Sequence, residues 1–248
     1  MGSIQVFPKR ARAGTIADVW RMVPMPGHGL VRVRAALPED FALLHGLHRR
    51  AHPDRPAIPM KVLESQRHHF PEGQLVAECA AQLVGAATSL VLDWERYAAS
   101  PRRTVLTADD TFATHDPAAD TLFGVDTFVD VSRRGAGIGR ALMQARRHLC
   151  KRLNLRRIVT AVPLAGYAAS TGVSPEAFAA RIVMGDLPGV AMRFQLSQGF
   201  QYFGVARDHD PSDLASGGHA ALLVWVNPDY TPRGPGAREE GQAMRRCA

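Results

Sequence analysis

Apolar and polar residues alternate, or recur at helical spacing, in short segments between residues 29 and 228. Alternation over roughly four to eight residues predicts a half-buried strand, and apolar positions at i, i+3, i+4 and i+7 predict an amphipathic helix. The predicted strands are 30–35, 75–80, 83–92, 121–131, 157–162, 200–206 and 220–226. One predicted helix begins at Pro38, and the others cover 60–69, 138–153, 174–184 and 190–198. This order predicts an α/β (α+β) fold, with a mixed, mostly antiparallel twisted sheet of about six to seven strands and helices on both faces.

The segment 121–131 is predicted to be a central strand, because both of its faces are apolar. Leu122 and Phe128 are predicted to lie on one face. The other face is predicted to hold Phe123, Val125, Thr127, Val129 and Val131.

The chain is predicted to form one domain at residues 29–228, with insertions near 93–120 and 163–188. Residues 1–28 are rich in Pro, Gly and Arg without sustained periodicity, which predicts a poorly ordered arm. Residues 229–248 are predicted to be a C-terminal tail.

Cysteine usage and hydropathy favour a soluble protein of the cytoplasm. About 18 uninterrupted apolar residues would be needed to span a membrane, and the longest candidate, 77–94, is broken by Glu78, Gln82 and Asp93. No secretory signal is recognisable at the N-terminus. Three cysteines lie far apart, so neither a disulfide framework nor a zinc site is expected.

The net charge of +7 is concentrated in the two tails and around one glycine-rich segment. That segment, Arg134-Gly135-Ala136-Gly137-Ile138-Gly139-Arg140, follows the predicted central strand and begins a basic amphipathic helix. Glycines allow close approach of the backbone to a ligand, and the helix N-terminus attracts an anion. The pattern therefore predicts a diphosphate site. A purely structural turn is the alternative, and a dinucleotide site is disfavoured because no βαβ unit surrounds the loop.

The motif Arg134-x-x-Gly137-x-Gly139 at a strand-to-helix junction resembles the acyl-CoA motif of the GNAT superfamily of N-acetyltransferases. The segment 191–200, ending Ser-Gln-Gly-Phe, resembles that family's second CoA-contacting helix. More specific segments resemble the acetyltransferase half of bacterial proteins in which this domain precedes a carbon-nitrogen hydrolase (nitrilase) domain. They are 70–74, 115–117, 122–126, 166–167, 194–195, 199–200 and 225–228. No hydrolase half is recognisable, so amidase activity is not expected.

The resemblance implies that a small or peptidyl primary amine attacks the thioester of acetyl-CoA directly, with no metal. It also implies that the backbone of Phe128, Val129 and Val131 holds the pantetheine arm, with an N–H near Val129 polarising the thioester oxygen. The pyrophosphate would contact Arg134, Gly135, Ala136, Gly137, Ile138, Gly139 and Arg140, and Gln195 would contribute from the second helix.

Two proton transfers need candidate residues. Asp126, predicted to lie on the face opposite Val125, could deprotonate the substrate ammonium; its alternative role is an ion pair with a nearby arginine. Many family members place a tyrosine at the position of Gln195, which cannot transfer a proton. The departing CoA thiolate would then leave without protonation, take a proton from water, or take one from Tyr167 or Tyr202.

Other interpretations rank lower. An acyl-CoA-binding sensor or partner module is the main alternative, and nucleic-acid binding ranks last because the basic helix lacks interleaved aromatic residues. His45, His48 and His52 share helical spacing but lack further ligands, which favours surface histidines over a metal site. Cys79 and Cys150 are expected to be buried and inert. The acceptor amine, acyl-chain preference and oligomeric state stay open.

Overall fold

The structure, a computed structural model, describes residues 21–25, 29–53 and 55–232. The predicted tail from residue 233, including Cys247, and the predicted arm as far as residue 20 lie outside the described residues.

Eight strands form one sheet in the described part of the chain, in the order β1-β2-β3-β4-β5-β6-β8-β7. They are β1 (Arg21–Met25), β2 (Gly29–Ala35), β3 (Gln74–Cys79), β4 (Gln82–Leu92), β5 (Thr121–Val129), β6 (Arg157–Pro163), β7 (Gln201–Ala206) and β8 (Ala220–Val226). Only β5 and β6 pair in parallel among them. The predicted mixed, mostly antiparallel sheet is confirmed. β1 lies inside the segment predicted to be a poorly ordered arm, and its Pro24 is tolerated because β1 is an edge strand.

Seven α-helices cover both faces of the sheet in the described residues, as predicted. They are α1 (Phe41–Ala51), α2 (Met60–His69), α3 (Trp94–Tyr97), α4 (Arg103–Thr107), α5 (Ile138–Arg152), α6 (Pro175–Met184) and α7 (Val190–Ser197). Leu142 of α5 packs with Ala87 of β4 on one face, and α6 and α7 pack on the same side. Leu44 of α1 packs with Ala86 on the opposite face, which α2, α3 and α4 also cover.

A β-bulge reverses the alternation of side chains along β5. Thr88 pairs with Asp126, whereas the next residue of β4, Ser89, pairs with Gly124. The extra residue in β5 is Val125, and such an insertion moves the following side chains to the other face.

The predicted shared face of 123–131 is therefore wrong. The predicted shared face of Leu122 and Phe128 is wrong too, because these residues pack in core clusters on opposite sides of the sheet. Phe123 and Val125 pack in the core cluster under α3 and α4, whereas Val129 packs against the cluster of α5. Asp126 bonds to Arg103 of α4 and so lies on the same face as Val125, not opposite it. Residue 131 has left the strand and begins a 3-10 turn, Val131–Arg133.

The two central parallel strands diverge halfway along the sheet. Their pairing extends only from Thr121 and Arg157 to Gly124 and Thr160. Beyond this point β5 stays paired with β4 and β6 continues beside β8. The divergence opens a gap at the C-terminal half of β5, directly before the glycine-rich loop.

The predicted insertion at 93–120 packs closely against the sheet. Trp94, Leu106 and Phe112 are buried in the cluster that contains Phe123 of β5. This segment therefore shapes the sheet face beside the divergent strands. No helix in the described ranges is both long enough and apolar enough to cross a membrane.

Candidate functional site

The glycine-rich loop turns sharply from the end of β5 into α5. Gly135 and Gly137 have φ angles of +81° and +79°, a backbone conformation that other residues adopt only with strain. Gly137 is the N-cap of α5. A Cβ atom on Gly139 would come within 3.2 Å of the Phe194 ring, so the missing side chain lets α7 approach the start of α5.

A cleft of about 1020 Å³ lies over this loop, between the end of β5 and α7. Its walls come from β5, the glycine-rich loop, the first turns of α5 and one side of α7. The predicted CoA contacts that line it are Phe128, Val129, Arg134, Gly135, Ala136, Gly137, Ile138, Gly139, Arg140 and Gln195. Val131 is not part of the lining; its side chain is 52% exposed on the turn that follows β5.

Positive charge surrounds the N-terminus of α5. Arg133, Arg134 and Arg140 line the cleft, and Arg134 also donates a hydrogen bond of 3.3 Å to the carbonyl of Ala51. The first N–H groups of a helix have no partner inside the helix, and the helix dipole adds partial positive charge. This end of the cleft therefore suits an anionic group such as a diphosphate.

The other end of the cleft offers backbone hydrogen-bonding groups of β5. The N–H of Asp130 donates to the carbonyl of Val84 on β4. Hydrogen-bonding direction alternates along an antiparallel strand, so the N–H of Val129 points to the side from which β6 has diverged. An extended ligand lying in the gap can therefore bond to this strand edge.

Gln195 of α7 presents an acceptor to the cleft. The residue is 7% exposed, and its Oε1 is buried with no hydrogen-bond partner among the described residues. A buried unpaired oxygen is unfavourable, and an N–H group of a bound ligand would satisfy it. The pantetheine arm of CoA carries such amide groups, so Gln195 and the cationic loop both fit this ligand.

The profile of the acetyltransferase (GNAT) family matches residues 41–171, which is more than half of the chain and includes the central strands, the loop and α5. The chain belongs to the GNAT family.

Two Bacillus subtilis (strain 168) proteins are similar to this GNAT chain. "Probable hydrolase YhcX" is 28% identical over 172 residues, covering 69% of this chain but 34% of that protein. "Uncharacterized N-acetyltransferase YkwB" is 27% identical over 185 residues, covering 71% of this chain and 80% of that protein. The chain thus spans about a third of the length of the first relative.

The GNAT fold also matches a solved structure, "GphF GNAT-like decarboxylase in complex with isobutyryl-CoA". The two share 21% sequence identity with a TM-score of 0.67, over 79% of this chain and 99% of that one. At this identity the similarity shows the fold alone.

Asp126, the predicted base of this GNAT chain, forms a two-pronged ion pair. Arg103 donates to its two carboxylate oxygens at 3.2 and 2.8 Å, and lies 3.0 Å from Asp110 as well. Burial alone would raise the pKa of Asp126, but the charge and hydrogen bonds of Arg103, helped by His48 and His52, hold that pKa well below its ordinary value. The geometry is that of the alternative role, an ion pair, and a carboxylate in this state accepts a proton poorly.

A fully buried arginine lies beneath the bulge. Arg146 of α5 donates to the carbonyls of Thr88 and Asp126 at 3.0 and 2.7 Å, and to the hydroxyls of Ser89 and Thr127 at 3.0 Å each. Burial lowers the pKa of its guanidinium to about 10, so the group stays charged at neutral pH. Arg146 therefore holds the bulge together and places a positive charge behind the cleft wall at Thr127.

Tyr167, the other predicted catalytic residue, does not line the cleft. Its hydroxyl donates to the carbonyl of Val173 at 3.0 Å, and its ring packs edge-on against Phe178 and His219. These contacts serve packing. The hydroxyl of Tyr202 is also absent from the cleft lining, and burial raises its pKa.

Sequence reasoning did not assign His48 and His52 to the cleft. His48 is 7% exposed, so the prediction of a surface histidine is wrong for it, and His52 lines the cleft. Both rings pack edge-on against Phe128, with centroid distances of 5.2 and 5.9 Å. The available signal in the sequence was their i, i+4 spacing, which puts both rings on one face of α1. That spacing does not show that the sheet buries this face against an aromatic residue.

The remaining candidates have no role in the cleft. Cys79 and Cys150 are buried as predicted, and burial raises the pKa of the Cys150 thiol to about 12. Within the described ranges no group of three His, Cys, Asp or Glu side chains could hold a metal ion.

Proposed function

We propose that this protein transfers an acetyl group from acetyl-CoA to a primary amine, on a small molecule or a peptide. The observation that carries the proposal is that one cleft combines two binding features. A cationic helix N-terminus lies at one end, and the strand edge exposed by the divergence of β5 and β6 lies at the other. A CoA ester has a diphosphate and a long amide-bearing arm in the same order. The similar fold that holds isobutyryl-CoA supports the acyl-CoA part of this assignment.

The chain's own residues would divide the work along the cleft. The N-terminus of α5 with Arg134 and Arg140 would bind the diphosphate, and Gln195 would accept from an amide of the arm. The N–H of Val129 would donate to the thioester oxygen and stabilise the negative charge that develops when the amine attacks. The amine must reach the thioester as its neutral form, because an ammonium group has no lone pair.

The alternative, an acyl-CoA-binding module without turnover, predicts the same binding but no product. Purified protein is therefore incubated with acetyl-CoA and a panel of small and peptidyl primary amines, with free thiol and acetylated amine measured together. We expect amine-dependent thiol release with an equal amount of N-acetyl product. Gly137→Val serves as the control that should lose the activity. Tight CoA binding without product from any amine would favour the alternative.

A further inference from the structure

Two histidines one helical turn apart lie beside the cleft at the C-terminal end of β5. His48 lies near the end of α1, and His52 caps its C-terminus. Their ring centroids are 5.0 Å apart, and each ring contacts Phe128. His52 lines the cleft together with Thr127, Phe128 and Val129, the strand residues at the divergence.

His52 differs chemically from every other described residue of the cleft lining. The other ionisable side chains there are Arg133, Arg134 and Arg140, whose guanidinium groups donate hydrogen bonds and offer no acceptor. No Asp, Glu, Lys, Cys or Tyr lines the cleft among the described residues. His52 is therefore the one lining side chain of this set that can accept a proton near neutral pH.

Burial, together with nearby positive charges, keeps His52 neutral. Burial and the positive charges of Arg55, Arg103 and Arg134 lower its pKa, opposed by the carboxylate of Asp126. His48 behind it has a pKa lowered to about 4, by burial first and by His52, Arg55 and Arg103 as well, against Asp126. At pH 7 the imidazole of His52 thus carries a free lone pair.

We propose that His52 is the general base of the transfer reaction, with His48 as the positioning residue that fixes its ring against Phe128. The inference rests on the proposed function. His52 would take a proton from the R–NH3⁺ group of the acceptor, giving R–NH2 and an imidazolium. The amine then forms a C–N bond to the thioester carbon, the C–S bond breaks, and the second proton of the amine passes to the departing thiolate.

Asp126 would contribute indirectly in this scheme. Its carboxylate is held by Arg103, so it does not take the proton itself, but its negative charge favours the imidazolium form of His52. The imidazolium of His52 then releases its proton to water, which completes the cycle.

The test compares His52→Gln with His68→Gln, a substitution of an exposed histidine on α2. For an amine that the wild type acetylates, we expect His52→Gln to lower kcat at pH 7 by about 10²-fold while CoA still binds, because glutamine cannot accept the proton. The loss should shrink as pH rises and the amine deprotonates by itself. The acidic limb of the wild-type kcat/KM profile that His52 sets should be replaced in His52→Gln by one set by the amine alone, and it should persist in His68→Gln. A wild-type rate and pH profile in His52→Gln would overturn the inference.

A second measurement does not depend on turnover. Diethyl pyrocarbonate acylates neutral, accessible imidazoles, and peptide mass mapping locates the modified residue. We expect modification of His52 that acetyl-CoA prevents, and modification of His68 with or without acetyl-CoA. Failure of bound acetyl-CoA to protect His52 would show that the thioester lies elsewhere and overturn the inference. A wild-type protein that binds CoA, protects His52 and transfers to no amine would instead contradict the acetyltransferase proposal, and the base role with it.

Discussion

The ion pair between Asp126 and Arg103 gives a sharp prediction for Asp126→Asn. The substitution keeps the shape of the side chain but turns one oxygen into an NH2 group facing the guanidinium. One of the two charge-assisted hydrogen bonds, at 3.2 or 2.8 Å, is lost. The side chain of Arg103 is 19% exposed and that of Asp126 is 23% exposed, so solvent screens the pair only in part.

The expected cost follows from these contacts. A hydrogen bond to a charged group contributes about 1.5–3 kcal/mol to the free energy of unfolding, and partial exposure favours the middle of that range, about 2 kcal/mol. For a domain of this size the melting temperature should fall by about 4–8 °C. Asp186→Asn, which changes an exposed carboxylate, should leave stability unchanged and serves as the control.

The pH dependence of the free energy of unfolding tests whether the ion pair is the cause of this stabilisation. The pKa of Asp126 is lower in the folded than in the unfolded chain, where it is about 3.9. Its stabilisation should therefore be fully present above pH of about 5 and disappear as pH falls through the folded-state pKa. Urea unfolding of wild type and Asp126→Asn at pH 7 and at pH 3–4 measures both effects. Equal urea midpoints at pH 7 would refute the ion-pair reasoning.

Three further substitutions test the cleft and its surroundings. Gly137→Val should weaken CoA binding more than tenfold, whereas Gly172→Val, with a similar φ of +69° away from the cleft, should leave calorimetric affinity intact. Gln195→Leu should raise the CoA Kd by about 2- to 10-fold through one lost hydrogen bond; an unchanged Kd would remove its Oε1 from the site. Tyr167→Phe should cost about 0.5–1.5 kcal/mol of stability and leave the transfer rate unchanged, so a slower reaction at full CoA occupancy would restore its acid role.

The sheet and the glycine-rich loop could be predicted because their signals are local. Strand alternation, helical spacing and glycines next to arginines are all contained in short windows of sequence. Ten of the predicted CoA contacts, from Phe128 to Gln195, consequently line the cleft. Val131 was misplaced because strand length is limited by pairing with a neighbour, which alternation does not report.

The surroundings of Asp126 and His52 could not be predicted in the same way. The bulge at Val125 is a mismatch in pairing between β4 and β5, so the sequence of either strand alone does not reveal the face of Asp126. Arg103, the partner of Asp126, comes from a segment without periodicity. The location of His52 depends on how α1 crosses the sheet, which is a property of tertiary packing rather than of the helix.

Acetyl-CoA binding in the cleft tests the central claim most directly. Thermal unfolding is measured with acetyl-CoA at about 100 times its calorimetric Kd. A ligand that binds only the folded state then adds about 2.7 kcal/mol, which for this chain length corresponds to a rise of about 5–11 °C in Tm. We predict that rise, with a Kd in the micromolar range. No binding heat and an unchanged Tm at millimolar acetyl-CoA would contradict the account.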